Sequence, residues 1–140
     1  MTMIIDATNL IAGRLATTAA KKALNGEEVH IINAEKAVIS GSKSHLVGEF
    51  RRKRQSKDIA NGPFFPRMPD RMLKRIIRGM LPYKTPTGRA ALARIKCHVG
   101  VPSELAGQQG EGVKGAEVSK IITGTYVSLE QLSRRIGGMK

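Results

Sequence analysis

The sequence predicts an α/β fold built around a parallel pair of strands. Three observations lead there. A short apolar run, Met3-Ile4-Ile5, ends at Asp6; a helical pattern follows it; then comes a β-branched run, Val29 to Ile32. Strand, helix and strand within about 30 residues favour a parallel pair with a right-handed crossover.

Taken in order, Met3–Ile5 lacks polar alternation, which suits a buried strand. Leu15, Ala16, Ala19, Ala20, Ala23 and Leu24 recur at helical spacing, and Asn25-Gly26 supplies the stop. Val29–Ile32 is a second strand and Ala37–Ile39 a third, closed by Gly41. Ser42 suits the cap of a second helix that turns Leu46, Val47 and Phe50 inward and ends in Arg51-Arg52-Lys53-Arg54. Residues 58–69 contain Pro63, Pro66, Pro69 and Gly62, so neither a continuous helix nor a central strand fits there. From Pro69 a helix is expected to run to about Leu81, where Pro82 stops it. On its wheel Arg71, Lys74, Arg75 and Arg78 share an arc of about 100°, with Met72, Leu73, Ile76, Ile77, Met80 and Leu81 opposite. After a Pro/Gly loop at Thr85 to Gly88, an Ala-rich helix leads into Ile95–Val99, which alternates as a strand does. Five glycines between Gly100 and Gly115 mark a loose loop, and Ser128 with Gln131 forms a capping box for a terminal helix carrying Leu129, Leu132 and Ile136.

Length and composition agree with a single folded domain over residues 1–140. The chain is 41% apolar, enough for a core and against disorder throughout. One cysteine excludes a disulfide framework, and with three histidines it leaves no zinc-finger spacing. The start does not resemble a signal peptide, and no apolar run approaches about 20 residues, so a soluble intracellular protein is expected.

The anomaly is charge. Lys and Arg number 24 against 11 Asp and Glu, a net +13. Residues 51–96 alone hold fourteen basic residues against Asp58 and Asp70, a net +12, while the flanking thirds are nearly neutral. A block this dense repels itself unless an external anion meets it. Arginine forks bind phosphate oxygens bidentately, and aromatics stack on unpaired bases. The block is interrupted by Phe64, Phe65 and Tyr83, although packing of the two phenylalanines onto the domain is favoured over base stacking.

Catalytic constellations are scarce. Leu10 to Arg14 has one glycine where a dinucleotide fingerprint needs three, and Gly41-Ser42-Lys43-Ser44 lacks the offsets of a phosphate loop. Arg14 and Lys43, each beside a helix start, could still touch a phosphate backbone. Adjacent Cys97 and His98 point to opposite faces of a strand, which precludes a nucleophile–base pair; Cys97 is favoured as a core residue. His30 and His45 have no partner at metal-ligand spacing. Asp6 ends a strand, but without a second acid a turn role is favoured. No catalytic residue, metal or cofactor is assigned.

Ile4 to Gly41 resembles the start of the ribosomal protein L13 family of the large subunit. Arg67 to Pro102 resembles its middle, most specifically in Arg78-Gly79-Met80-Leu81-Pro82, Lys84 and Gly88-Arg89. The resemblance covers essentially the whole chain. Two departures from the bacterial members, the direct start at the first strand and Gly62-Pro63-Phe64-Phe65-Pro66, make it archaeal or eukaryotic in type, and the short length favours archaeal. The resemblance implies a three-layer α/β/α domain with a small, mostly parallel sheet of about four strands. It implies a cytoplasmic structural constituent of the large ribosomal subunit, not an enzyme, that binds ribosomal RNA and supports early assembly, with ribosomal protein L3 as a possible neighbour. RNA contacts would then fall on Arg51, Arg52, Lys53, Arg54, Lys57, Arg67, Arg71, Lys74, Arg75, Arg78, Lys84 and Arg89, with Arg14 and Lys43 added by their helix-start positions. Two rivals stand against this reading. A nucleotide-acting enzyme would need clustered acids or metal ligands and has only Asp6. A DNA-binding regulator would need Asn or Gln on its basic helix, and this helix has neither.

Overall fold

The computed structural model describes residues 2–55, 60–62, 64–122 and 124–138. In chain order its elements are β1 (Thr2–Asp6), α1 (Ala12–Leu24), β2 (Glu28–Ile32), β3 (Val38–Ser40), α2 (Lys43–Gln55), α3 (Pro69–Gly79), α4 (Pro86–Ala93), β4 (Ile95–Cys97), β5 (Tyr126–Ser128) and α5 (Leu129–Arg135). β1, β2 and β4 form a parallel sheet in that order, with Ile5 beside Ile31 and Ile31 beside Cys97. Glu111 adds one residue's worth of a fourth parallel strand on the free edge of β1. Its amide donates to the Ile4 carbonyl at 2.8 Å, and its carbonyl accepts from the Asp6 amide at 3.1 Å. The mixed α/β fold with a small, mostly parallel sheet is as the sequence predicts.

β3 departs from that expectation by leaving the parallel sheet. It pairs antiparallel with β5, Ile39 opposite Val127, and starts one residue later than the sequence suggests. β5 has one buried side chain, Val127, too short a signal to register as a strand from alternation alone. The last parallel strand stops at Cys97 and not at Val99, and the chain turns at Gly100 with φ 71°.

Alternation along the sheet explains where the core sits. Ile5, Val29, Ile31 and Ile95 are buried in the main core with α1, α3 and α4, while Ile4 and Ile32 form a separate small cluster with Leu105. α1 presents an almost pure alanine face, Ala12, Ala16, Ala19, Ala20 and Ala23 around Leu15, which lets α3 and α4 approach closely. Asn25 caps it, and the Arg94 guanidinium donates to the Ala23 carbonyl at 3.0 Å, a cation on a helix C-terminus.

α3 begins with Pro69 at its first turn and Asp70 on its positive end. It ends at Gly79, two residues before the expected Leu81. Met80 and Leu81 bond back three residues, to Ile77 at 2.9 Å and Arg78 at 3.2 Å, because the residue before Pro82 avoids the helical region. The buried ridge is consequently narrower than the wheel predicts: Met72, Leu73, Ile77 and Leu81 are buried, Ile76 is half-buried and Met80 is 43% exposed.

Gly88 fixes α4 against the preceding turn. A Cβ there would lie 1.9 Å from the Pro82 carbonyl oxygen, so only glycine fits. Gly88→Ala is expected to lower stability by about 1–3 kcal/mol, the range for overpacking, in a thermal melt. Gly79→Ala, where a Cβ meets nothing within 4 Å, is the matched control.

Candidate nucleic-acid interface

The basic middle folds into a surface shared by α2, the 64–68 segment, α3 and the turn into α4. On α2, Leu46, Val47 and Phe50 face the core, so the cations of its last turns take different stations around the helix. Arg54 falls on the inward side and Arg51 on the flank toward α5. Arg54 Nη1 donates to the Ile136 carbonyl at 2.5 Å and Arg51 Nη2 to the Arg135 carbonyl at 3.2 Å. Gly137, at φ 87°, and Gly138 close a Schellman turn by bonding back to the Arg134 and Ser133 carbonyls. The carbonyls of Ser133, Arg134, Arg135 and the cap residue Ile136, which no helical amide can reach, are thus all satisfied. Arg51 and Arg54 are therefore clasps of the fold.

Lys53 and Arg75 lean over the aromatic junction between the two helices. Phe65 meets Phe50 edge-on, with centroids 5.4 Å apart. Lys53 Nζ is 5.3 Å from the Phe50 centroid and 5.9 Å from that of Phe65. The Arg75 guanidinium lies 5.5 Å from the Phe65 centroid and donates to the Phe64 carbonyl at 3.3 Å. Phe65 thus packs onto the domain as the sequence favours, while Phe64 is 57% exposed. Arg78 stacks its guanidinium 4.8 Å from the Tyr83 centroid, and its Nε is buried without a hydrogen-bond partner among the described residues.

Arg71 and Arg67 are exposed beside Pro66 and Gly137. Arg52 is exposed on the outer flank of α2; Lys84 and Arg89 flank the N-terminus of α4, whose Thr85 cap accepts the Gly88 amide at 3.2 Å. Lys74 is half-buried on the side of α3 toward β4, close enough to Cys97 to bias its thiol, and so stands apart from the other three cations of its helix. Lys43 opens α2 and shares a groove with Arg51 and Arg135. Arg135 was not among the expected cations; its signal was the Arg134-Arg135 pair at the end of the terminal helix. Arg14 lies on another part of the surface, donating to the Gly115 carbonyl at 2.6 Å. Lys57 lies outside the described residues.

Ion pairing sorts this set further. Lys53 pairs with Glu49 at 3.4 Å, an exposed i,i+4 pair worth little. Among the described residues, Arg67, Arg71, Arg75, Arg78, Lys84 and Arg89 have no carboxylate within 4.0 Å. Among the described residues they form an array of cations with no internal counter-charge.

The other titratable candidates are structural. Burial raises the Asp6 carboxyl, but bonds from the Thr8 hydroxyl at 2.6 Å, the Thr8 amide at 3.0 Å and Asn33 at 3.1 Å outweigh it and hold it below the usual carboxylate range. That is the expected turn role. Desolvation pushes the Cys97 thiol up to about 12, which leaves it unreactive at neutral pH. His98 stacks on His30 across the strands, with rings 5.5 Å apart, away from Cys97. No group of three or more metal-ligating side chains occurs, and no helix is long and apolar enough to cross a membrane, both among the described residues.

The sequence pattern of the family described as Ribosomal protein L13 matches residues 1–104. The chain belongs to the ribosomal protein L13 family. The match takes in the whole basic middle and every element from β1 to β4. Three similar proteins, each named large ribosomal subunit protein uL13, are archaeal, in line with the archaeal type read from the sequence. That of Methanosarcina barkeri is 47% identical over 135 residues and that of Methanococcoides burtonii 48% over 134, each covering 96% of both chains. That of Archaeoglobus fulgidus is 43% identical over 135 residues, covering 96% of this chain and 86% of its own. The family pattern stops before α5, whose end Arg51 and Arg54 hold in place.

The two roles can be separated by mutation. Arg54→Met is expected to cost about 1–3 kcal/mol of stability by stranding the Ile136 carbonyl, whereas the exposed Arg71→Met changes stability by less than about 0.5 kcal/mol. Chemical denaturation of the two variants checks this.

Proposed function

We propose that this chain is a structural, non-catalytic constituent of the large ribosomal subunit in the cytoplasm. In this reading it is a single domain that binds ribosomal RNA through its basic middle, residues 51–96, and supports early subunit assembly. The observation that carries the reading is the array of cations without internal counter-charge among the described residues, set on α3, α4 and the segments that lead into them. Such an array costs self-repulsion in the free protein and gains from a polyanion. Membership in the ribosomal protein L13 family, and relatives named as large ribosomal subunit proteins, support ribosomal RNA as that polyanion. Neighbouring large-subunit proteins are the expected protein contacts, ribosomal protein L3 among them. A DNA-reading role is disfavoured because α3 carries no Asn or Gln for base edges.

If about six to ten phosphates are neutralised, log affinity for large-subunit RNA fragments falls with log salt at a slope of about −5 to −9. A titration across salt concentrations measures it. A slope shallower than about −2 means the block faces solvent or protein, and the reading fails.

A further inference from the structure

The cleft between α2 and α3 has a composition that phosphate binding alone does not explain. It holds about 550 Å³, within the range of small-ligand sites. Its floor is apolar: Phe65, Met72 and Ile76. Its rim carries Arg52, Lys53 and Arg75, and no lining residue is acidic. Half-buried Ile76 and Phe65 thus open outward in the most cationic part of the chain. A purely electrostatic surface would have no use for that floor.

Resting on the RNA-binding reading above, we infer that this cleft receives an unpaired nucleobase of the bound RNA. The base lies against Phe65 and Ile76, over the buried Met72, and its flanking phosphates meet Lys53 and Arg75. Each part of the ligand answers a part of the site. A base offers a flat apolar face, and its backbone offers phosphates to a rim whose lining side chains are cationic. An apolar protein segment would satisfy the floor but bring no anion to Arg75, which has no carboxylate within 4.0 Å among the described residues. Paired bases do not fit, because a duplex keeps its base faces stacked inside and its deep groove closed to side chains. Lys53 and Arg75, already held over the Phe50 and Phe65 rings, need little further ordering to contact phosphate.

The test uses the full chain with two probes, single-stranded oligoadenylate and an RNA duplex. In the wild type, oligoadenylate is expected to move the Ile76 methyl resonance upfield by the ring current of a stacked base; the duplex and inorganic phosphate leave it in place. Gly79→Leu fills the cleft from ordinary helical backbone, where a Cβ meets nothing within 4 Å. Its affinity for oligoadenylate is expected to fall about 5- to 150-fold, the range for losing one stacked base, and its duplex affinity by much less. An unmoved Ile76 methyl in a wild type that binds both RNAs overturns the cleft assignment alone. So does a Gly79→Leu variant that loses both affinities equally. A wild type that binds neither RNA overturns the RNA-binding reading itself.

Discussion

Replacing Arg71, Arg75 and Arg78 together with Gln weakens binding to large-subunit RNA by on the order of 100- to 1,000-fold at about 0.1 M salt. The size follows from counterion release: each phosphate contact contributes about 0.9 to the salt slope, so three lost contacts make it shallower by about 2.7. The same variant folds. Arg71 is exposed and has no carboxylate within 4.0 Å among the described residues. Arg75 and Arg78 give up contacts with Phe65 and Tyr83, each worth about 0.5–1 kcal/mol at a partly exposed site. Relief of repulsion along α3 offsets part of that, so the net loss of stability stays below about 2 kcal/mol. Binding isotherms at several salt concentrations, with a thermal melt of the same sample, separate the two effects. A triple variant that unfolds, yet binds normally whenever folded, would mean that these arginines serve the fold.

Ile77→Ala has the converse signature. Ile77 is fully buried in the core that α3 shares with the sheet and α1, and truncating it leaves a cavity costing about 2–5 kcal/mol. That is a large part of the stability of a domain this size. Ile76→Ala, at the half-buried cleft position beside it, costs less than Ile77→Ala. Denaturant midpoints order the pair, while RNA affinity of the folded fraction changes little in Ile77→Ala. Equal costs at the two positions would mean that the cleft is closed in solution and Ile76 is core.

Most elements were legible because they carry a local signal. The βαβ start announced itself through apolar runs and the Asn25-Gly26 stop, and the terminal helix through the Ser128 cap, whose hydroxyl accepts the Gln131 amide at 3.2 Å. What the sequence could not supply was long-range. β5 exists because Ile39 and Val127 meet across a large sequence separation, and nothing in Tyr126–Ser128 alone requires it. Ile76 and Met80 satisfy the helical period of an apolar face, but a wheel does not say how wide a strip the neighbours cover. The same limit applies to the candidate site. Charge density marked residues 51–96, but which cations are taken inward depends on where α5 ends. Arg54 belongs to the fold because the Ile136 carbonyl is beside it, and Arg135 joins the Lys43 groove for the same reason.

The most direct test of an RNA interface on the basic middle is lysine acetylation footprinting of the full chain, free and bound to a large-subunit RNA fragment. Lys53 and Lys84, exposed on α2 and before α4, should lose reactivity on binding, while Lys21 and Lys120, exposed elsewhere, should keep theirs. Protection of Lys21 and Lys120 with Lys53 and Lys84 still reactive would place the RNA on another face and contradict the assignment of residues 51–96.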